Sequence, residues 1–122
     1  MTNSNQLNNA INNNKPHPAL TDHEWQNALN TAVKIGVRPE TLLPLFAGYI
    51  APGPMEVINL KAWCGLSSGE IAKLLGVGDK MPRHWMNAKN PEQYRAIVPA
   101  YWRYWLASYG LIDIEILQPS KA

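Results

Sequence analysis

Apolar residues recur at helical spacing along most of this chain, and the stretches that carry them begin and end on residues that start and stop helices. In TDHEWQNALNTAVKIG, Thr21 and Glu24 are spaced as a capping box. Trp25, Leu29, Ala32 and Val33 share one face, and Gly36 stands where the helix has to stop. Arg38-Pro39-Glu40 starts another turn, followed by an apolar cluster of Leu42, Leu43, Leu45 and Phe46 that Pro44 interrupts. Pro54 to Cys64 sets Met55, Val57, Ile58, Leu60, Ala62 and Trp63 in a helical pattern, with Lys61 pointing out. Asn90-Pro91 opens a short helix through Ile97, and Pro99 opens AYWRYWLASYG, which Gly110 closes. In that helix Tyr101, Trp105 and Tyr109 recur one turn apart, and a buried stripe with Trp102 and Leu106 beside it is expected. Arg103 and Tyr104 then face solvent or a partner. The pattern predicts an all-α protein, a small helical domain of five or six short helices.

Both ends break the pattern. Residues 1–18 are rich in Asn, with Leu7, Ala10 and Ile11 too few to offset the entropy of ordering, so a disordered tail is expected. LIDIEIL alternates Ile112, Ile114 and Ile116 with Asp113 and Glu115, which is strand period. A lone strand needs a ladder. Either the same segment of a second chain pairs with it about a two-fold, or it is an extended arm packed on its own domain. The organisation is then a tail at 1–18, an N-terminal helical hairpin at 19–51, a core at 52–111 and a C-terminal arm at 112–122. Gly48, Pro52, Gly53 and Pro54 form the linker-like stretch. A hairpin of about thirty residues buries no core of its own, so it must pack on the rest of this chain or on a second copy.

The most informative stretch is SSGEIAKLLGVGDKMPRHWMN, from Ser67 to Asn87. Ser67 and Glu70 form a second capping box, Ile71, Leu74 and Leu75 face a core, and Ala72 is small enough for another helix to cross closely. Gly76 ends the first helix, Val77 plugs the corner, Asp79 is placed to cap a second helix and Trp85 anchors that helix from below. Lys80, Arg83, His84 and Asn87 are left on its outer side, donor-rich side chains of the kind that read base edges in a major groove. Pro82 stands in the first turn if the helix starts at Lys80. Because proline disfavours helical dihedrals at Met81, the helix can instead start at Pro82, with Lys80 in the turn and closer to phosphate than to a base.

These residues resemble the lambda-repressor-like, or XRE-type, helix-turn-helix family of phages and plasmids. There a capped E-I/L-A-x-x-L-G-V helix precedes a recognition helix that ends in an aromatic residue and Asn or Glu. Gly53-Pro54 with MEVINLKAWCGLS is similar to the first helix of that domain, and IVPAYWRYWLASYGLI to its last, so the resemblance covers residues 52–111. Pro82 departs from it, standing where the family carries an aliphatic core residue. The resemblance implies a small regulator bound to double-stranded DNA. Arg83 and Asn87 would read bases, Lys80 and His84 would assist, and Ser67, Ser68, Lys73, Lys89 and Asn90 would hold phosphates. The rival expectation is a protein-binding accessory factor, an inhibitor or adaptor, on the same scaffold.

Net charge is only +2, which argues for no polyanion by itself. Between Lys73 and Arg103, however, six basic residues stand against Asp79 and Glu92. Cys64 is the single cysteine, expected to be a small buried hydrophobe at a helix end, and a reducing cytoplasmic location fits. His17, His23 and His84 are widely spaced, and no catalytic pair, zinc pattern or phosphate loop is visible, so no enzyme, cofactor or metal is expected. No apolar run is long enough for a membrane span, and no signal-peptide block precedes the first helix.

Overall fold

The computed structural model describes residues 21–45 and 47–112; the tail, Phe46 and the arm beyond Ile112 lie outside them. The described residues form five helices and no strand: α1 (Asp22–Ile35), α2 (Pro54–Cys64), α3 (Ser68–Leu75), α4 (Met81–Trp85) and α5 (Pro99–Ser108). A single 3-10 turn, Pro39–Leu42, stands between α1 and α2. None of these helices is long and apolar enough to cross a membrane.

Both expected capping boxes are formed. Glu24 N donates to the Thr21 hydroxyl at 3.0 Å and Thr21 N to the Glu24 carboxylate at 3.2 Å; Glu70 N donates to Ser67 at 3.1 Å and Ser67 N to Glu70 at 2.9 Å. Each reciprocal pair satisfies two amides that a helix start leaves orphaned. Gly36 takes the left-handed conformation that ends α1, with φ of 85°.

One core draws on every element. Trp25 and Leu29 come from α1, Leu42 and Leu43 from the turn, Val57 and Leu60 from α2, Ile71 and Leu75 from α3, Trp85 from α4, and Trp102, Trp105 and Leu106 from α5. It is continuous across Pro52–Pro54. Trp102 and Trp105 meet edge to face, with centroids 5.9 Å apart and planes at 80°. The Trp102 indole Nε1 also donates to the carbonyl of Thr41 at 3.1 Å, which pins the segment after α1 onto α5.

Several sequence expectations are corrected. Val33 is 64% exposed. With Ala28 buried, the stripe of α1 centres on Trp25 and Ala32, and at 3.6 residues per turn Val33 falls about 90° from its middle. Residues 91–97 are not a helix: a turn at Pro91–Gln93 gives way to chain without regular structure. Asn90 nucleates that turn, accepting from Glu92 N on its side chain, and Arg95 N then leaves it to donate to the His84 carbonyl. Trp63, expected in the helical apolar pattern, is 44% exposed, and Cys64 beside it is half-buried. Burial, eased by Trp105 and Tyr109, raises the Cys64 thiol above its usual range.

Arg103 is the largest departure, since it is 2% exposed and not turned to solvent. Its guanidinium donates to the carbonyls of Leu43 and Leu42. No carboxylate pairs with it among the described residues. Desolvation pulls its pKa below the ordinary arginine value, opposed by Tyr49, yet a guanidinium keeps its proton at any ordinary pH. The cation thus sits in the core against carbonyl oxygens that the 3-10 turn leaves without partners of their own.

Candidate nucleic-acid interface

The site is built on α3, α4 and the loop after them. At the end of α3, Gly76 adopts φ of 69°, Gly76 N donates to Ala72, and Val77 N follows with a 3.0 Å bond to the same carbonyl. The chain turns sharply, and Met81 N closes the corner on the Gly78 carbonyl at 3.0 Å. α4 then packs on α3 through buried Pro82 and Trp85. Pro82 therefore fills the core position that an aliphatic residue was expected to hold. It stands at the second helical position, where the amide it lacks has no intrahelical acceptor.

Asp79 does not cap α4. The residue at the cap is Lys80, in helical conformation and without a side-chain bond. A cap side chain accepts from the second or third helical amide, and Pro82, at the second position, has no N–H to offer.

α4 is only five residues long, and its end has a physical cause. The His84 carbonyl, which Ala88 N would need for another turn, accepts instead from Asn87 N at 3.4 Å and Arg95 N at 3.1 Å. The helix expected from Lys80 to Lys89 is therefore cut at Trp85, and the later residues ride on a loop.

This decides where the expected contact residues point. Arg83 is exposed on α4, Lys80 is exposed in the turn, and Lys73 is exposed on α3. Lys80, Arg83 and Lys89 form no ion pair among the described residues. His84 and Asn87, by contrast, are committed. His84 Nδ1 lies 2.8 Å from the carbonyl of Gln93, the Asn87 amide oxygen accepts from Asn90 N at 2.9 Å, and its nitrogen donates to Gln93 Oε1 at 3.4 Å. Both are half-buried and brace the loop that carries Lys89 and Asn90. Gln93, unremarked in the sequence, is the common partner of both.

At the start of α3, Ser67 is occupied by its capping bond, and the Glu70 carboxylate folds back over the Ser67 amide. Bonds from Ser67 hold that carboxylate below the usual glutamate range, so it is charged at neutral pH. A phosphate approaching Ser67 or Ser68 would meet that negative charge. With Arg103 buried, the exposed basic residues of the region are Lys73, Lys80, Arg83, Lys89 and Arg95, and its exposed acids are Asp79 and Glu92. The Arg95 guanidinium donates to the carbonyls of Glu92 and Tyr94, which ties it to its own loop.

Beside this surface an open apolar groove of about 430 Å³ runs between the end of α3 and the start of α5, lined by Leu74, Leu75, Tyr101 and Tyr104 with Lys73 at its rim. Helical periodicity foretold Tyr104 facing outward, but not the groove.

The chain matches no family model, no curated protein and no solved structure.

Proposed function

We propose that the chain is a small cytoplasmic DNA-binding regulator, a repressor or autoregulator of the kind carried by mobile elements, which grips double-stranded DNA with α3 and α4. One observation carries this. α4 is fixed on its inner side by Pro82 and Trp85, while Lys80, Arg83 and Lys89 stand exposed around it with no carboxylate partner among the described residues. Exposed cations clustered at this corner favour a polyanion, because each phosphate they neutralise releases a condensed counterion. The likeness of residues 67–87 to lambda-repressor-like sequences supports the same use.

The roles follow the geometry. Arg83 reads a base edge; Lys73, Lys80 and Lys89 hold phosphates; His84 and Asn87 set the position of the 87–93 loop and with it Lys89 and Asn90. With a five-residue α4, direct reading is short and backbone contacts carry most of the affinity. A homodimer through the arm at 112–122 would add a second half-site about one helical turn away.

The test is duplex binding by the full chain, measured by anisotropy across a salt series. Affinity should fall steeply with salt. Arg83→Ala should relax base preference and weaken the preferred site by about tenfold, and Lys80→Ala should weaken all duplexes alike and flatten the salt slope by about one. Loss of equal size in both variants, with preference unchanged, would refute the assignment.

The groove beside α3 favours a second reading, a protein-binding accessory factor that lays a partner's apolar side chains over Leu74, Tyr101 and Tyr104. Binding of that kind would respond weakly to salt.

A further inference from the structure

Four of the five tryptophans are buried to within 1% of full enclosure, whereas Trp63 is 44% exposed. Its indole leans on Tyr109 at the far end of α5, with ring centroids 6.0 Å apart and planes at 59°. Together they wall an open cavity of about 340 Å³ whose opposite side is α1, lined by Glu24, Asn27, Ala28 and Thr31. Glu24, Asn27 and Thr31 follow one another at one-turn spacing, so they form a polar rail along one stripe of the helix.

The polar groups on this rail share one character. Glu24 accepts from Thr21 N with one carboxylate oxygen, and the other has no partner among the described residues. The Asn27 amide nitrogen pairs with His23 Nε2 at 3.3 Å, which turns its oxygen away from His23. The Thr31 hydroxyl donates its proton to the Asn27 carbonyl at 2.9 Å and keeps its lone pairs. Burial and the adjacent Cys64 thiol raise the Tyr109 hydroxyl above the ordinary phenol range, so that ring stays neutral. Among the described residues, no Lys or Arg lines the cavity. A carboxylate, further acceptors and two electron-rich ring faces meet with no competing cation.

We propose that this cavity is a binding site for an organic cation, a guanidinium or alkylammonium head group lying against Trp63 and directed toward Glu24. A ring face attracts a cation through its quadrupole, and a guanidinium also presents a planar fork to a carboxylate, so the two walls act on one head group together. The site owes nothing to the basic corner formed by α3 and α4, and it stands or falls apart from DNA binding.

Because the other four indoles are enclosed, Trp63 is the tryptophan whose emission a solute can reach, and it serves as the reporter. The full chain is titrated at constant ionic strength with agmatine, with a blocked Gly-Arg-Gly peptide and with a neutral alkylurea of the same length. A saturable emission change with agmatine and the peptide, but not with the urea, is expected. Saturation by agmatine alone assigns the site to a free small cation, and saturation by the peptide alone to a side chain of a protein partner. Glu24→Gln keeps the capping box, since glutamine serves at that position, and removes the charge; it should weaken binding by about fivefold. The indole Nε1–H resonance of Trp63 should shift with the same midpoint. No saturable response to either cation, an equal response to the alkylurea, or unchanged affinity in Glu24→Gln would overturn the proposal.

Discussion

Glu56→Ala is expected to destabilise the protein by about 3 kcal/mol and Arg38→Ala by only about 1 kcal/mol, although the two side chains are partners in one ion pair. The asymmetry comes from what each removal leaves behind. The Glu56 carboxylate is 11% exposed and accepts from Arg38 N at 2.7 Å, Arg38 Nε at 3.0 Å, Arg38 Nη2 at 2.8 Å and Gly53 N at 2.8 Å. Its loss strips two backbone amides in a partly buried place, each worth about 1 kcal/mol or more, and frees a guanidinium besides. Arg38 is half-exposed, and its Nη2 also donates to the Ala51 carbonyl at 3.0 Å. Its truncation removes a half-exposed cation and leaves Glu56 with both backbone donors. Urea denaturation of the full chain at neutral pH measures the two values. Equal losses, or a larger one for Arg38→Ala, would refute the reasoning. Acid provides a second arm. Burial pushes the Glu56 pKa up, but hydrogen bonds from Arg38 and the Gly53 and Arg38 amides outweigh it, and the net shift is below the ordinary value. With the folded value below the unfolded one, about 4.3, the stabilisation is complete above the unfolded pKa. It is lost as pH falls through the folded pKa. The gap between wild type and Glu56→Ala should therefore narrow as pH falls below the ordinary glutamate range and through the lowered folded pKa.

The other predictions concern single contacts. Trp102→Phe should cost about 1 kcal/mol more than Trp105→Phe in thermal or urea unfolding, because it orphans the Thr41 carbonyl, whereas Trp105 offers its Nε1–H only to the Cys64 sulfur, a weak acceptor. Gly76→Ala should cost about 1–2 kcal/mol from the left-handed backbone alone, since an added Cβ there meets nothing within 4 Å. Gly36→Ala should cost more, because that Cβ would lie 2.6 Å from the Asn59 nitrogen that donates to the Gly36 carbonyl; circular dichroism melts of both variants rank them.

Local signals were legible in the sequence and tertiary ones were not. Thr21 with Glu24 and Ser67 with Glu70 are satisfied within four residues, so spacing alone finds them, and Gly36 and Gly76, which end α1 and α3, need only their own φ. Helix periodicity found the buried members Trp102, Trp105 and Leu106. It misassigned Arg103, because what buries that guanidinium is the carbonyls of Leu42 and Leu43, some sixty residues earlier. The same limit applied at the candidate interface. Donor types at Arg83, His84 and Asn87 suggested one reading face, but the competition for the His84 carbonyl by Arg95 N, which ends α4, comes from a residue whose approach no spacing rule encodes. Gln93, the acceptor that turns His84 and Asn87 away from the outer face, carries no sequence signal at all.

The carbonyls that receive Arg103 and Trp102 lie 60 and 61 residues upstream of them, and this sets a condition on synthesis. While the nascent chain ends before α5, the segment Thr41–Leu43 has neither its donors nor the indoles that cover it, so the first half leaves the ribosome with apolar surface uncovered. Completion of the core waits on the last helix. A premature stop or a ribosomal stall before Pro99 would release a chain that offers that surface to chaperones and proteases.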